Sequence, residues 1–130
     1  MTEHELIART KQLALPVMKL IEAIPQNVQG RAIAGQLMRS GSSVGANYRA
    51  ACRARSKAEF ISRLGTVEEE ADESGFWLEL IIESGLSGEK RVRPLLSEAT
   101  ELAAVAASSR KTAAKSLAKS QLANRKSQIA

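Results

Sequence analysis

Apolar positions recur at three- and four-residue intervals along most of the chain, which predicts helices rather than strands. The first stripe is Leu6, Leu13, Val17, Leu20, Ile21 and Ile24. Ahead of it, Thr2 and Glu5 have the spacing of a capping box: the hydroxyl accepts from a free backbone N–H and the carboxylate reaches back to the cap. Pro16 falls inside the stripe and predicts a kink, because it removes a backbone donor. Pro25 predicts the end, because the residue before a proline disfavours the α region.

Asn27 is placed to cap a second helix with the stripe Ile33, Leu37, Ser40, Val44, Asn47 and Ala51. Ser56 and Glu59 form a second box-like pair, opening a third helix with Phe60, Leu64, Val67, Ala71, Leu78 and Ile82 on one face and Trp77 and Ile81 widening it. Ser84-Gly85 reads as its stop. Ser87 is the expected cap of a fourth helix, whose inner face is Leu95, Leu96, Ala99, Leu102, Ala103 and Ala106, with Pro94 marking a kink or a later start. Beyond about Ala118 the stripe fades, so a domain over 1–119 and a basic, disordered tail over 120–130 are expected.

Four helices joined by short links predict an all-α, antiparallel up-down-up-down four-helix bundle. A hairpin turning near Arg55 and Ser56 would set Asn47 against Leu64, Val44 against Val67 and Ser40 against Ala71, with Arg39 level with Asp72. Composition agrees with a helical core: apolar residues make up 44% and aromatics only 3%. The interior must then be built from Leu, Ile, Val and Ala. A single cysteine excludes an internal disulfide. No signal-peptide pattern and no membrane-spanning run is visible, so a cytoplasmic protein is expected.

The net charge of +5 is distributed regionally. Residues 31–63 hold seven Lys/Arg against Glu59 alone, residues 66–84 hold seven acids and no base, and residues 110–130 hold six bases and no acid. Such basic regions favour an anionic partner.

GSSVG at 41–45 fits G-x-S-x-G, the nucleophile elbow of serine hydrolases. An elbow needs a strand before the serine and a base beside it, whereas GRAIAGQLMR continues a helical stripe and the only histidine is His4. The same residues also read as small-xxx-small. Ser40, Gly41, Ser43, Gly45 and Asn47 then form a notch in which helix backbones approach closely, expected to face the acidic third helix. A hydrogen bond from Ser40, Ser43 or Asn47 to a carboxylate or backbone group of that helix is expected with it. No catalytic residue, cofactor, metal ligand set or small-molecule substrate follows. Glu69 and Glu73 lack the histidines of a di-iron site and read as a solvated acidic face paired with arginines. Cys52 reads as a small packed hydrophobe, although Arg49, Arg53 and Arg55 would lower its pKa if they surrounded it.

YRAACRARSK is the binding candidate. Arg49, Arg53, Arg55 and Lys57, joined by Lys111 and Lys115 from a C-terminal arm that also carries Arg110, Lys119, Arg125 and Lys126, suit phosphate contacts with RNA or DNA. Tyr48 could stack on a base or line an interface. The alternative is a structural or protein–protein interaction module.

The stretch RSGSSVGANYRAACRARSKAEFISRLGTVEEEADESGFWLELI, residues 39–81, resembles the 23S rRNA-intervening sequence protein family, also called the bacterial four helix bundle family. RSGSSVGANYR and EADE…WLEL carry most of the match, with weaker similarity over Leu13–Pro25 and Pro94–Lys115. The resemblance implies an antiparallel bundle and a homopentameric ring. Some members are encoded within rRNA genes. Related basic bundles are accessory proteins of retroelements that bind reverse transcriptase and nucleic acid. The family supplies no catalytic residues, which implies a non-enzymatic protein. Many members carry proline where Gly45 stands and Glu-Gly where Ala50-Ala51 stand, a departure that bears on the retroelement role.

Overall fold

The computed structural model describes residues 1–129. Five helical segments follow one another: α1 (Glu3–Gln12), α2 (Ala14–Ala23), α3 (Val28–Cys52), α4 (Lys57–Ser84) and α5 (Glu89–Ile129). α1 and α2 are halves of one bent rod. Leu13 between them keeps right-handed helical angles, φ −56° and ψ −35°. The break falls one turn before Pro16, whose ring has no N–H to offer the Gln12 carbonyl. The fold is therefore a bundle of four helices, the first of them bent, and the described residues contain no strand.

The caps explain why the rods begin and end where they do. Thr2 and Glu5 make the reciprocal capping box. The Asn27 carboxamide accepts from the Gly30 N–H at 2.7 Å. Ser56 accepts from the Glu59 N–H at 3.1 Å, but Glu59 reaches back to the Arg55 N–H, one residue short of a reciprocal box. Gly85 ends α4 in the left-handed region at φ 75°. The N–H of Leu86 returns to the Ile81 carbonyl, satisfying a terminal acceptor. α5 departs from expectation at both ends. It starts at Glu89, directly after Gly88 rather than Ser87, and Pro94 lies inside it. It then runs to Ile129, through the segment where the apolar stripe fades.

Packing is most extensive between α4 and α5 and between α3 and α4. Along the α4–α5 seam, partner numbers fall as residue numbers rise: Lys57 meets Ser116 and Glu68 meets Arg110. Across the α3–α4 seam, Ser40 meets Ser74 and Arg39 meets Glu70. The core is aliphatic: Leu20, Leu37, Leu64, Leu78, Ile81 and Leu102 are its largest fully buried side chains. Three polar side chains are buried with it, Thr10, Ser40 and Ser74. The Ser74 hydroxyl donates to the Ser40 hydroxyl at 2.9 Å and lies 2.9 Å from the Glu70 carbonyl. Ser40 thus bonds across the seam, but to a serine side chain rather than to a carboxylate or backbone group. Ser43 and Asn47 instead bond carbonyls of their own helix, Arg39 and Ser43 respectively. No helix among the described residues is long and apolar enough to cross a membrane.

The glycines of GSSVG face the first rod, not α4. A Cβ on Gly41 would lie 3.3 Å from Val17. One on Gly45 would lie 2.8 Å from the Lys11 Cα and 3.0 Å from the Thr10 carbonyl oxygen. The expectation that the notch admits the acidic helix is corrected accordingly. Small side chains do serve that seam, but they are Ser40, Ala71 and Ser74, all with no exposed surface.

Candidate nucleic-acid interface

A few arginines are paired across the bundle. Arg9 grips Glu98 with two hydrogen bonds, at 2.8 and 2.6 Å, and contacts Glu101 at 3.0 Å. Arg39 pairs with Glu70 and Glu73, and Arg110 with Glu68. These arginines staple rods together along the bundle. Arg39 was expected level with Asp72; it is held by the carboxylates on either side of that position.

None of Arg49, Arg53, Arg55, Lys57, Lys111 or Lys115 is in an ion pair with another described residue, and all six are exposed. Arg53 and Arg55 occupy the turn between α3 and α4. Lys57 opens α4, and its ammonium donates to the Ser116 hydroxyl at 2.7 Å, which ties the turn to α5. A shallow cavity of about 440 Å³ beside that bond is lined by Thr112, Lys115, Ser116, Lys119 and Ser120. Glu59, which accepts from the Arg55 backbone, and Glu3, beside Cys52, lie at the same end and are outnumbered by Arg53, Arg55, Lys57, Lys115 and Lys119, so this end of the bundle is cationic.

Arg49 is set apart. It lines a cavity of about 360 Å³ between α1 and α3 with Lys11, Ile7, Ala14, Ser42, Gly45 and Ala46. The four-residue spacing from Arg49 to Arg53 to Lys57 does not continue as one stripe, because α3 ends at Cys52 and the chain turns. Lys11 was missed in the sequence, because its cationic surroundings depend on which helices become neighbours.

Tyr48 and Cys52 are one helical turn apart. Tyr48 is only 5% exposed, which removes it as a base-stacking platform. Its phenol pKa is pushed up chiefly by burial, reinforced by the Cys52 thiol. Cys52 is half-buried, and burial also raises its pKa. Tyr48 hydrogen bonding opposes that rise and Glu3 adds to it. The arginines do not activate this thiol. Because reaction requires the thiolate, a small alkylating reagent should modify Cys52 more slowly than a free thiol near neutral pH. The rate should climb only at higher pH, and Glu3→Gln should speed it. Alkylation as fast as that of a free thiol would contradict this environment.

Ser43 sits within uninterrupted helix, its hydroxyl donating to the Arg39 carbonyl at 2.7 Å, so the strand–turn–helix elbow is not formed. Among the described residues, no three His, Cys, Asp or Glu side chains gather as a metal site. Glu73 is bound by Arg39 and by the Trp77 indole N–H, while Glu69 points into solvent.

The family model for 23S rRNA-intervening sequence protein matches residues 2–108 of this fold. The chain belongs to that family. Among solved structures it is similar to a protein with unknown function from the S23 ribosomal protein family of Bacteroides thetaiotaomicron VPI-5482. The two share 28% identity over 85% of this chain and 99% of the other, with a TM-score of 0.78. No curated protein matches the chain. The family match ends before Lys111, so two of the six candidate cations and the rest of α5 lie outside it.

Proposed function

We propose that this member of the 23S rRNA-intervening sequence protein family is a non-enzymatic, antiparallel bundle that self-associates as a ring, a homopentamer, and binds nucleic acid through its cationic end. The observation that carries the reading is the gathering of cations toward one end of the bundle. Arg9, Arg39 and Arg110 pair across the bundle, whereas Arg53, Arg55, Lys57, Lys111 and Lys115 are exposed and outside any ion pair with a described residue. Phosphates would supply the missing anions, and repeating the end around a ring multiplies the contacts. The two candidate nucleophiles support the non-enzymatic reading. The Ser43 hydroxyl is committed to a helix carbonyl, and the Cys52 thiol is held protonated.

The test is binding of RNA and same-sequence DNA duplexes and single strands across a salt series. Affinity should fall steeply with salt. The combined change of Arg53, Arg55 and Lys57 to Ala should flatten the log–log slope by about 2–3. Absence of binding at low salt, or an unchanged slope in the triple variant, would refute the nucleic-acid reading. The other reading, a structural or protein-interaction module akin to a retroelement accessory protein, is favoured by exposed Phe76 on α4.

A further inference from the structure

α5 outruns the bundle. Its last buried residue is Ala113 and its last half-buried one Leu117; every described residue from Ala118 to Ile129 is exposed. This overhang spans roughly 18 Å at about 1.5 Å per residue. Ala118, Leu122 and Ile129 fall four and seven apart, which makes a narrow apolar stripe. Lys119 and Lys126 flank it on one side and Arg125 on the other, with no acid in the segment. An isolated helix this short is marginal in water. A surface that receives it would offset the cost of ordering it.

A complementary surface lies on the outer face of α4. Glu69, Asp72, Phe76, Glu79 and Glu83 follow at spacings of three and four, and all are exposed. Phe76, 52% exposed, stands on a groove of about 270 Å³ that Asp72 and Glu79 rim and α5 closes at Thr100 and Ala103. Glu68, Glu70 and Glu73 of α4 are taken by Arg110 and Arg39, whereas Glu69, Asp72, Glu79 and Glu83 are in no ion pair with a described residue.

The overhang cannot reach this groove within one molecule. The groove is level with residues 100–103 of the same straight helix, about 24 Å or more from Lys119 along its axis. We propose that the overhang of one copy docks in the α4 groove of a second copy, with Leu122 set toward Phe76 and Lys119, Arg125 and Lys126 against Asp72 and Glu79. Apolar anchors flanked by cations, laid beside exposed Phe76 in a groove rimmed by acids, match helix-in-groove recognition. The two surfaces differ, so the contact is head-to-tail and propagates until a ring closes. This rests on the self-association reading and names its contact surface. It leaves Arg53, Arg55, Lys57, Lys111 and Lys115 free for nucleic acid.

Charge-swapped full-length chains test it, with mass measured by light scattering and folding verified by circular dichroism. One variant carries K119E, R125E and K126E; the other carries D72K and E79K. Each alone sets like charges together and should associate roughly tenfold or more weakly, falling to single-chain mass. Mixed, each variant's overhang meets an opposite groove, and assemblies of even subunit number should return, because a ring of five cannot alternate the two variants. A triple-reversal variant that keeps wild-type mass, or a mixture that stays at single-chain mass, overturns the proposed contact. Wild type at single-chain mass under all conditions would defeat the self-association reading itself.

Discussion

Gly45→Ala should destabilise the protein by about 1–3 kcal/mol, the range of overpacking a filled interface. Helix propensity alone argues for the opposite sign, because alanine is favoured over glycine in a helix interior by about 1 kcal/mol. The neighbours decide the outcome. The new methyl would meet the Lys11 Cα at 2.8 Å, the Lys11 nitrogen at 2.9 Å and the Thr10 carbonyl oxygen at 3.0 Å, all backbone atoms. No rotamer change can clear that clash; the α1 rod must move outward and loosen Leu6 and Tyr48, both buried. Gly35 supplies the control. It is exposed in the same helix and a Cβ there meets nothing within 4 Å, so Gly35→Ala should gain about 0.5–1 kcal/mol. Urea titrations with matched m-values measure both. A stabilised Gly45→Ala chain would show that the first rod does not press on α3.

Leu78→Ala should cost about 2–5 kcal/mol, through lost transfer energy and the cavity left behind. Leu78 has no exposed surface and lies in the single core cluster to which the first rod, α3, α4 and α5 all contribute. A loss of that size is a large share of the about 5–15 kcal/mol available to a domain. Leu122→Ala, at a residue 51% exposed on the overhang, should instead stay within about 0.5 kcal/mol for the isolated chain. Equal losses at the two positions would mean that the overhang folds back onto the bundle.

The sequence stripes located most of the core. Leu37, Val44, Leu64, Val67, Ala71 and Leu78 were all legible from spacing and all are buried. The caps at Thr2, Asn27 and Ser56 and the stop at Gly85 were legible because each is a short-range hydrogen-bond or backbone requirement. What escaped depended on three dimensions. Ser74 is polar, so periodicity passes over it, yet it is fully buried because Ser40 faces it. Thr10 is hidden likewise, its hydroxyl turned back to the Leu6 carbonyl at 2.7 Å. GSSVG announced a close approach but not its partner, since the side of α3 that meets the first rod follows from how four helices are arranged. Among the candidate cations, type and exposure were readable. Their separation into an end cluster and an Arg49 groove was not, because the turn after Cys52 breaks the helical register.

The chain's single tryptophan has an optical consequence. Trp77 donates to the Glu73 carboxylate at 3.0 Å, and that carboxylate also holds Arg39 of α3. Its indole therefore sits at the junction of α3 and α4, with the Phe76 ring edge-on 5.0 Å away. Emission from Trp77 reports the opening of that seam, while the first rod, which contains no aromatic residue, is spectroscopically silent. A fluorescence melt and a helix-content melt of this protein thus view different parts of it, and their coincidence is a direct measure of how cooperatively the bent rod is joined to the rest.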